Sequence, residues 1–311
     1  MHAPTLLAAC ALLFPCPVSA ASAAAQDAKQ DDPKTAPTLA ERVRSSPQHT
    51  TLARLLAEAD LLEPLGEKGA TTLFAPTDAA FQKLERERRG ALRELSKKEN
   101  RARLVRLLSQ HVVDGKLAAA DVAKLKHATT LSGQRIDVTV ERGRGLRVDG
   151  AKLERADVVC ANGVLHVVDT LLVPEQRGLV GTLRATGKHG VFLSLVEAAG
   201  LTDVLEDEGP FTLFAPTDVA FAAMPEGTVD RLRQPGSRAV VASLVRNHML
   251  AGRVYADQAA ELEKVRTLAE RDLPIEFDER RALVKGVRVV RTDGEAANGV
   301  AHVIDTLLLP R

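Results

Sequence analysis

The sequence predicts an α+β fold built twice in tandem, and three observations predict it. First, the run TLFAPTDAAF (Thr72–Phe81) recurs as TLFAPTDVAF (Thr212–Phe221). It lies inside a gapless match of residues 38–81 to residues 178–221, in which 17 of 44 positions are identical. Second, NGVLHVVDTLLVP (Asn162–Pro174) returns as NGVAHVIDTLLLP (Asn298–Pro310), ten of thirteen identical. Third, apolar residues in the first part of each copy recur at helical spacing, whereas the last third switches to period two. Helices first and strands afterwards argue for α+β rather than a parallel α/β sheet. A repeat of about 135 residues is too long for a solenoid and has the usual size of an independent domain.

Residues 1–20 have the layout of a secretory signal, with an apolar run from Leu6 to Val18 and small residues before a cut after Ala20. Lipid anchoring at Cys10, in Leu7-Ala8-Ala9-Cys10, ranks behind cleavage because only nine residues precede it, none of them basic. Residues 21–37 contain no Leu, Ile, Val or aromatic residue and read as a flexible tether. The first domain is expected over residues 38–175 and the second over 178–311. No later stretch is long and apolar enough for a transmembrane helix.

Within each domain the elements follow in order. Leu52, Leu55, Leu56, Ala59 and Leu62 mark a helix face, as do Phe192, Leu195, Val196 and Ala199 in the second copy. Asp60 and Gly200 stand where that helix should end. Thr72-Leu73-Phe74-Ala75 is a strand that Pro76 terminates, because proline cannot donate to a sheet ladder. Thr77 or Asp78 then caps the next helix, and Phe81 folds back onto the core. In the second copy Thr212, Phe214, Pro216, Thr217, Asp218 and Phe221 take the same parts. A helix over 101–110 carries Leu104, Leu107 and Leu108 on one face. Ile136, Val138 and Val140, then Leu146 and Val148, read as paired strands, with Gly143-Arg144-Gly145 as their turn. Asn162-Gly163 and Asn298-Gly299 are turn signals. Cys160, in Val158-Val159-Cys160, reads as a buried, inert thiol.

The two recurring blocks, separated by some eighty residues and present twice, resemble the signature blocks of the fasciclin domain family. That resemblance implies two β-sheets packed as a wedge with helices covering one side. It also implies an extracellular or periplasmic role in adhesion and matrix interaction, without a catalytic mechanism or cofactor. The family often carries a Tyr-His pair between the blocks. Here the histidines stand as His111 and His248, but Gln110 and Asn247 precede them, which puts adhesion through that pair in doubt.

Composition bears on function. Forty-two Lys plus Arg against forty-one Asp plus Glu leave a net charge of +1, unlike a dedicated nucleic-acid binder. With one Tyr and no Trp, a stacking platform for bases is not expected. His111, His166 and Asp169 are residue types that could hold a metal or move a proton. No short ligand spacing supports that, and His166, His302, Asp169 and Asp305 interrupt apolar strands, where a hydrogen-bonded scaffold residue is the simpler reading. Gly-x-Ser-x-Gly and phosphate-loop motifs are missing from the sequence. One asymmetry separates the copies: residues 83–106 hold ten basic and four acidic side chains against three and two in residues 221–241, a patch that reads either as a solvated helix face or as a dock for anionic polysaccharide or lipid headgroups. His111, His248, Arg86, Arg88, Arg89 and Arg93 are therefore carried forward as candidate interaction residues.

The reading is a secreted or periplasmic, non-enzymatic adhesion protein. Its partner would be an extracellular-matrix component, a cell-envelope component or a protein, with an anionic polysaccharide as one candidate. A periplasmic binding protein for an apolar small molecule is the alternative, and a hydrolase or metal enzyme ranks behind both.

Overall fold

The computed structural model describes residues 36–67, 69–141, 145–278 and 281–309. The expected signal, Cys10, most of the tether, the Gly143-Arg144 turn and the last two residues lie outside them.

The first unit opens with helices α1 (Leu39–Ser45), α2 (Thr50–Glu58) and α3 (Leu62–Gly66), then strand β1 (Thr71–Pro76). Next come α4 (Asp78–Glu87), α5 (Ala91–Leu95), α6 (Arg101–Ser109), β2 (Val112–Asp114), α7 (Ala119–Val122) and β3 (His127–Thr129). Strands β4 (Arg135–Glu141), β5 (Gly145–Val148), β6 (Ala151–Cys160) and β7 (Gly163–Val168) complete it. The second unit repeats the sequence of elements: α8 (Leu179–Thr186), α9 (Gly190–Ala199), α10 (Thr202–Asp207), β8 (Phe211–Pro216), α11 (Asp218–Ala222), α12 (Thr228–Arg233), α13 (Arg238–Asn247), β9 (Met249–Ala251) and α14 (Ala256–Ala259). Strands β10 (Lys264–Arg266), β11 (Asp272–Asp278), β12 (Arg281–Val284), β13 (Val287–Ala296) and β14 (Gly299–Ile304) follow.

Among the described residues each unit has seven strands, ordered β2-β1-β7-β6-β5-β4-β3 and β9-β8-β14-β13-β12-β11-β10. The two recurring blocks lie side by side as parallel neighbours, β1 with β7 and β8 with β14, while the other described pairs are antiparallel. Alternation along β1 divides the core. Leu73 and Ala75 face the helical cluster with Leu55, Phe81 and Leu104. Phe74 faces a second cluster with Ile136, Val148 and Val168, enclosed between the two halves of the strand set. This is the expected wedge, its strands joined in one continuous order. Register shifts in β6 and β13 mark where the order bends.

Local chemistry sets the corners. The α2 region ends at Asp60 (φ 55°) and α9 at Gly200 (φ 71°), both left-handed. Thr77 caps α4, its hydroxyl 3.3 Å from the Ala80 amide. Asp78 stands in the first turn of its own helix, as expected, and also serves another. Its carboxylate accepts from the amides of Thr50 and Thr51 at the start of α2, at 3.2 and 2.8 Å. Burial would raise the Asp78 pKa, but the hydrogen bonds from Thr51 and Thr50 hold it below the ordinary carboxylate value. Asp218 repeats the bond, 2.8 Å to the Val191 amide.

Two further expectations change. The β6–β7 turn consists of Ala161 and Asn162, since Cys160 pairs with Gly163. Gly163 thus begins a strand, and Asn162 is a clasp: its Oδ1 accepts from the Leu39 amide (2.8 Å) and its Nδ2 donates to the carbonyls of Leu65 and Glu67 (both 2.7 Å). Asn298 does the same for Leu179, Leu205 and Glu208. Residues 36 and 37, expected in the tether, belong to the folded unit. Ala36 is buried and the Pro37 carbonyl accepts from the Ala161 amide at 3.1 Å. Cys160 is a buried free thiol.

Candidate interaction site

The repeated histidines are committed to the main chain. His111 ends the turn after α6, with Nδ1 2.8 Å from the Leu107 carbonyl and Nε2 accepting from the Leu172 amide at 3.0 Å. His248 makes the same pair with Leu244 (2.9 Å) and Leu308 (3.0 Å). A neutral imidazole has one donor and one acceptor on opposite edges, so it ties the end of a helix to the segment after the last strand. Burial pushes both histidines down to about 4, and a second ring proton would point at an amide N–H. His111 and His248, carried from the sequence as interaction residues, are 1% and 0% exposed and offer no edge to a partner.

His166 and His302 act on the bulges of β6 and β13. Their Nε2 atoms donate to the Leu117 and Val254 carbonyls (2.9 and 2.8 Å), while their Nδ1 atoms accept from the amides of Asp157 and Asp293 (3.2 and 3.3 Å). Both aspartates have φ 57°. Asp169 accepts from the Lys152 amide at 2.7 Å and Asp305 from the Thr306 hydroxyl at 3.2 Å. Among the described residues no three His, Cys, Asp or Glu side chains group as metal ligands. His111, His248, His166 and His302 thus bond main-chain groups of their own domains.

What the first unit displays is basic. Arg86, Arg88, Arg89 and Arg93 are all exposed on the end of α4, the following turn and α5. Glu85 shapes that turn: its carboxylate accepts from the amides of Gly90 and Leu92, which ties down the start of α5. The shorter α11, five residues against ten in α4, leaves the second unit without this extension.

The units meet at Arg135, the first residue of β4. Its guanidinium carbon lies 3.7 Å from the Tyr255 ring centroid, a cation–π contact. Its two terminal nitrogens reach Asp257, at 2.7 Å for Nη1–Oδ1 and 3.0 Å for Nη2–Oδ2. His127 Nε2 reaches Asp257 at 3.0 Å. Burial would raise the Asp257 carboxyl, but Arg135 and His127 bring it well below the ordinary value. Tyr255 donates to Glu295 (2.7 Å), and Arg253 donates to the carbonyls of Gly299, Ala297 and Ala296 (2.6, 2.8 and 3.0 Å). On the connecting segment, Gln134 and Glu175 exchange two hydrogen bonds, at 2.9 and 2.8 Å.

The fasciclin domain signature matches residues 47–174 and again 187–310. The chain belongs to the fasciclin domain family. It is 27% identical to the transforming growth factor-beta-induced protein ig-h3 of Sus scrofa over 89% of this chain and 38% of that protein. Human periostin is 25% identical over 84% and 31%, and protein sll1483 of Synechocystis sp. is 39% identical over 46% and 79%. This chain therefore spans about a third of the length of ig-h3 and periostin. A solved FAS1 domain pair from the insect cell adhesion molecule fasciclin I aligns over 83% of this chain and 95% of that one, at 19% identity and a TM-score of 0.42.

The junction between the two fasciclin domains was not among the sequence candidates, although a signal for it was present. In the aligned copies Arg135 faces Asp272, Tyr255 faces Ala118, Asp257 faces Ala120 and Glu295 faces Val159. Each copy supplies one half of the contact, so its residues are those the repeat does not share. Arg135→Ala is expected to weaken domain docking by about 2–3 kcal/mol, from a charged hydrogen-bonded pair plus a cation–π contact. Spin labels on the two fasciclin domains should then give a broadened distance distribution. A distribution as narrow as in the parent chain would show that Arg135 does not hold the junction.

Proposed function

We propose that the chain is a secreted, non-enzymatic adhesion protein that works by surface contact with an extracellular-matrix or cell-envelope component. The exposed arginine face of the first fasciclin domain carries this reading. The family resemblance supports it, as do the scaffold roles of the histidines and of Asp169. The partner that fits the face is an anionic polysaccharide: guanidinium groups bind carboxylates and sulfates in forked pairs, and clustered like charge attracts a polyanion over about a Debye length.

The test is co-sedimentation of the full chain with alginate, with neutral dextran as control, at 50 and 500 mM salt. Binding to alginate that falls at least tenfold with salt, and is lost in the Arg86→Gln/Arg88→Gln/Arg89→Gln/Arg93→Gln variant, is the expected result. Equal binding by that variant would remove the face from the account.

A further inference from the structure

Behind the arginine face lies a groove of about 570 Å³, walled by α5 and α6 and closed by the segment that links the domains. Its floor is apolar: Leu84, Leu95, Leu107, Val173 and Pro174 line it. Of these, Val173 is 49% exposed, a large aliphatic side chain left open to solvent beside the groove. Its rim carries Arg88, Arg89, Arg103 and Arg106, opposed by Glu94 and Glu99. The groove is continuous with a second concavity of about 640 Å³ between the domains, since Arg88, Val173, Pro174 and Gln176 border both. That second space is polar, lined by Gln134, Arg135, Glu175 and Arg177 among others. Arg135 Nε is buried there without a hydrogen-bond partner among the described residues. An apolar trough thus opens past Arg88 into a polar, guanidinium-bearing cleft.

We propose that the groove binds one free long-chain fatty acid, with its hydrocarbon chain along the Leu84–Leu107–Val173 floor and its carboxylate at Arg88, where the trough meets the cleft. Each part of the ligand answers a part of the site. The volume falls in the range of about 300–1,000 Å³ typical of small-ligand pockets. The floor takes methylenes out of water, and the net positive rim selects an anionic head over a neutral or cationic one. A polysaccharide has no use for the aliphatic floor, so this site is separate from the reading above, though Arg88 and Arg89 border both. The second domain lacks the long α4 and the turn after it that supply Leu84 and Arg88, so one ligand per chain is expected.

The experiment is calorimetric titration of the full chain with monomeric oleate, shorter saturated fatty acids and the neutral amphiphile dodecyl maltoside. Oleate should bind at one per chain, and saturated acids should weaken about three- to fourfold for each methylene removed. Ala102→Trp adds bulk at an exposed position on α6 that lines the groove. It should leave circular dichroism unchanged and cost at least tenfold in oleate affinity. Arg88→Ser/Arg103→Ser/Arg106→Ser should lose oleate at least tenfold. Affinity unchanged in either variant, or dodecyl maltoside bound as tightly as dodecanoate, would overturn the proposal. Alginate binding that survives Ala102→Trp while oleate binding is lost would separate this site from the adhesive face.

Discussion

Lowering the pH from 7 to 4.5 is expected to remove about 5 kcal/mol of stability through His111 and His248 alone. Both are fully buried and held neutral down to about 4, whereas an unfolded histidine takes its proton near 6.5. The folded pKa is the lower one, so the unfolded chain binds more protons below pH 6.5, and stability falls as pH falls. The loss begins near 6.5, grows by about 1.4 kcal/mol per pH unit per histidine, and levels off below about 4. His49, His166 and His302 are also pushed down by burial and act in the same direction. Asp78, held below its ordinary value, adds its own loss only in a lower window, under about pH 4. One of the two histidines lies in each domain, so each loses about 2.5 kcal/mol, a substantial share of the about 5–15 kcal/mol by which domains of this size are stable. Urea unfolding followed by circular dichroism at pH 7.5, 6, 5 and 4.5 measures it. Asp149, pushed up to about 6 by burial, and Glu295, also raised by burial, work against this loss as pH falls, so a midpoint that rises across that series would show that the histidines do not dominate.

The same histidines show how much of the molecule was legible in the sequence. Short-range patterns were: the leucines of α2 and α6, the β1 strand ended by Pro76, and Phe81 turned back into the core all follow from spacing and backbone chemistry. Side-chain partners were not. Nothing local says that Asp78 caps α2 from 28 residues away, or that Asn162 clasps α1 from a distance of 123 residues. Those bonds join segments brought together by the parallel β1–β7 pair, and a parallel pair needs a long connection. The arginine face was legible as composition, because an exposed charge needs no partner to be read. The junction escaped for the opposite reason: repetition draws the eye to shared residues, and two different faces docking head to tail require residues that are not shared. The candidate site was thus legible where it depends on charge density and hidden where it depends on the meeting of two copies.

Gly163→Ala should be the most damaging single methyl in the first fasciclin domain, with Gly299→Ala its equivalent in the second. Neither glycine is in the left-handed region, so backbone freedom does not explain them. Space does. A Cβ on Gly163 would stand 2.0 Å from the Thr71 carbonyl oxygen and 2.7 Å from Leu39 Cδ1. On Gly299 the corresponding approaches are 2.3 Å to the Phe211 oxygen and 2.8 Å to Leu179 Cδ1. The obstacle is backbone that belongs to the parallel pair, with α1 or α8 packed above it, so relief requires parting the two recurring blocks or lifting the first helix. Parting them also loosens the Asn162 or Asn298 clasp beside them. A cost of about 4 kcal/mol or more is expected, beyond the usual 1–3 for overpacking because no flexible side chain can yield. Gly150→Ala separates the two explanations. Its φ is +78° with nothing within 4 Å of a Cβ, so it should cost only about 1 kcal/mol of backbone strain. Calorimetry should show the altered domain of Gly163→Ala melting well before its partner, and Gly150→Ala close to the parent. If Gly163→Ala melts no earlier than Gly150→Ala, then β1 and β7 are not locked at the spacing that forces glycine there, and the twinned blocks are not the keystone of each domain.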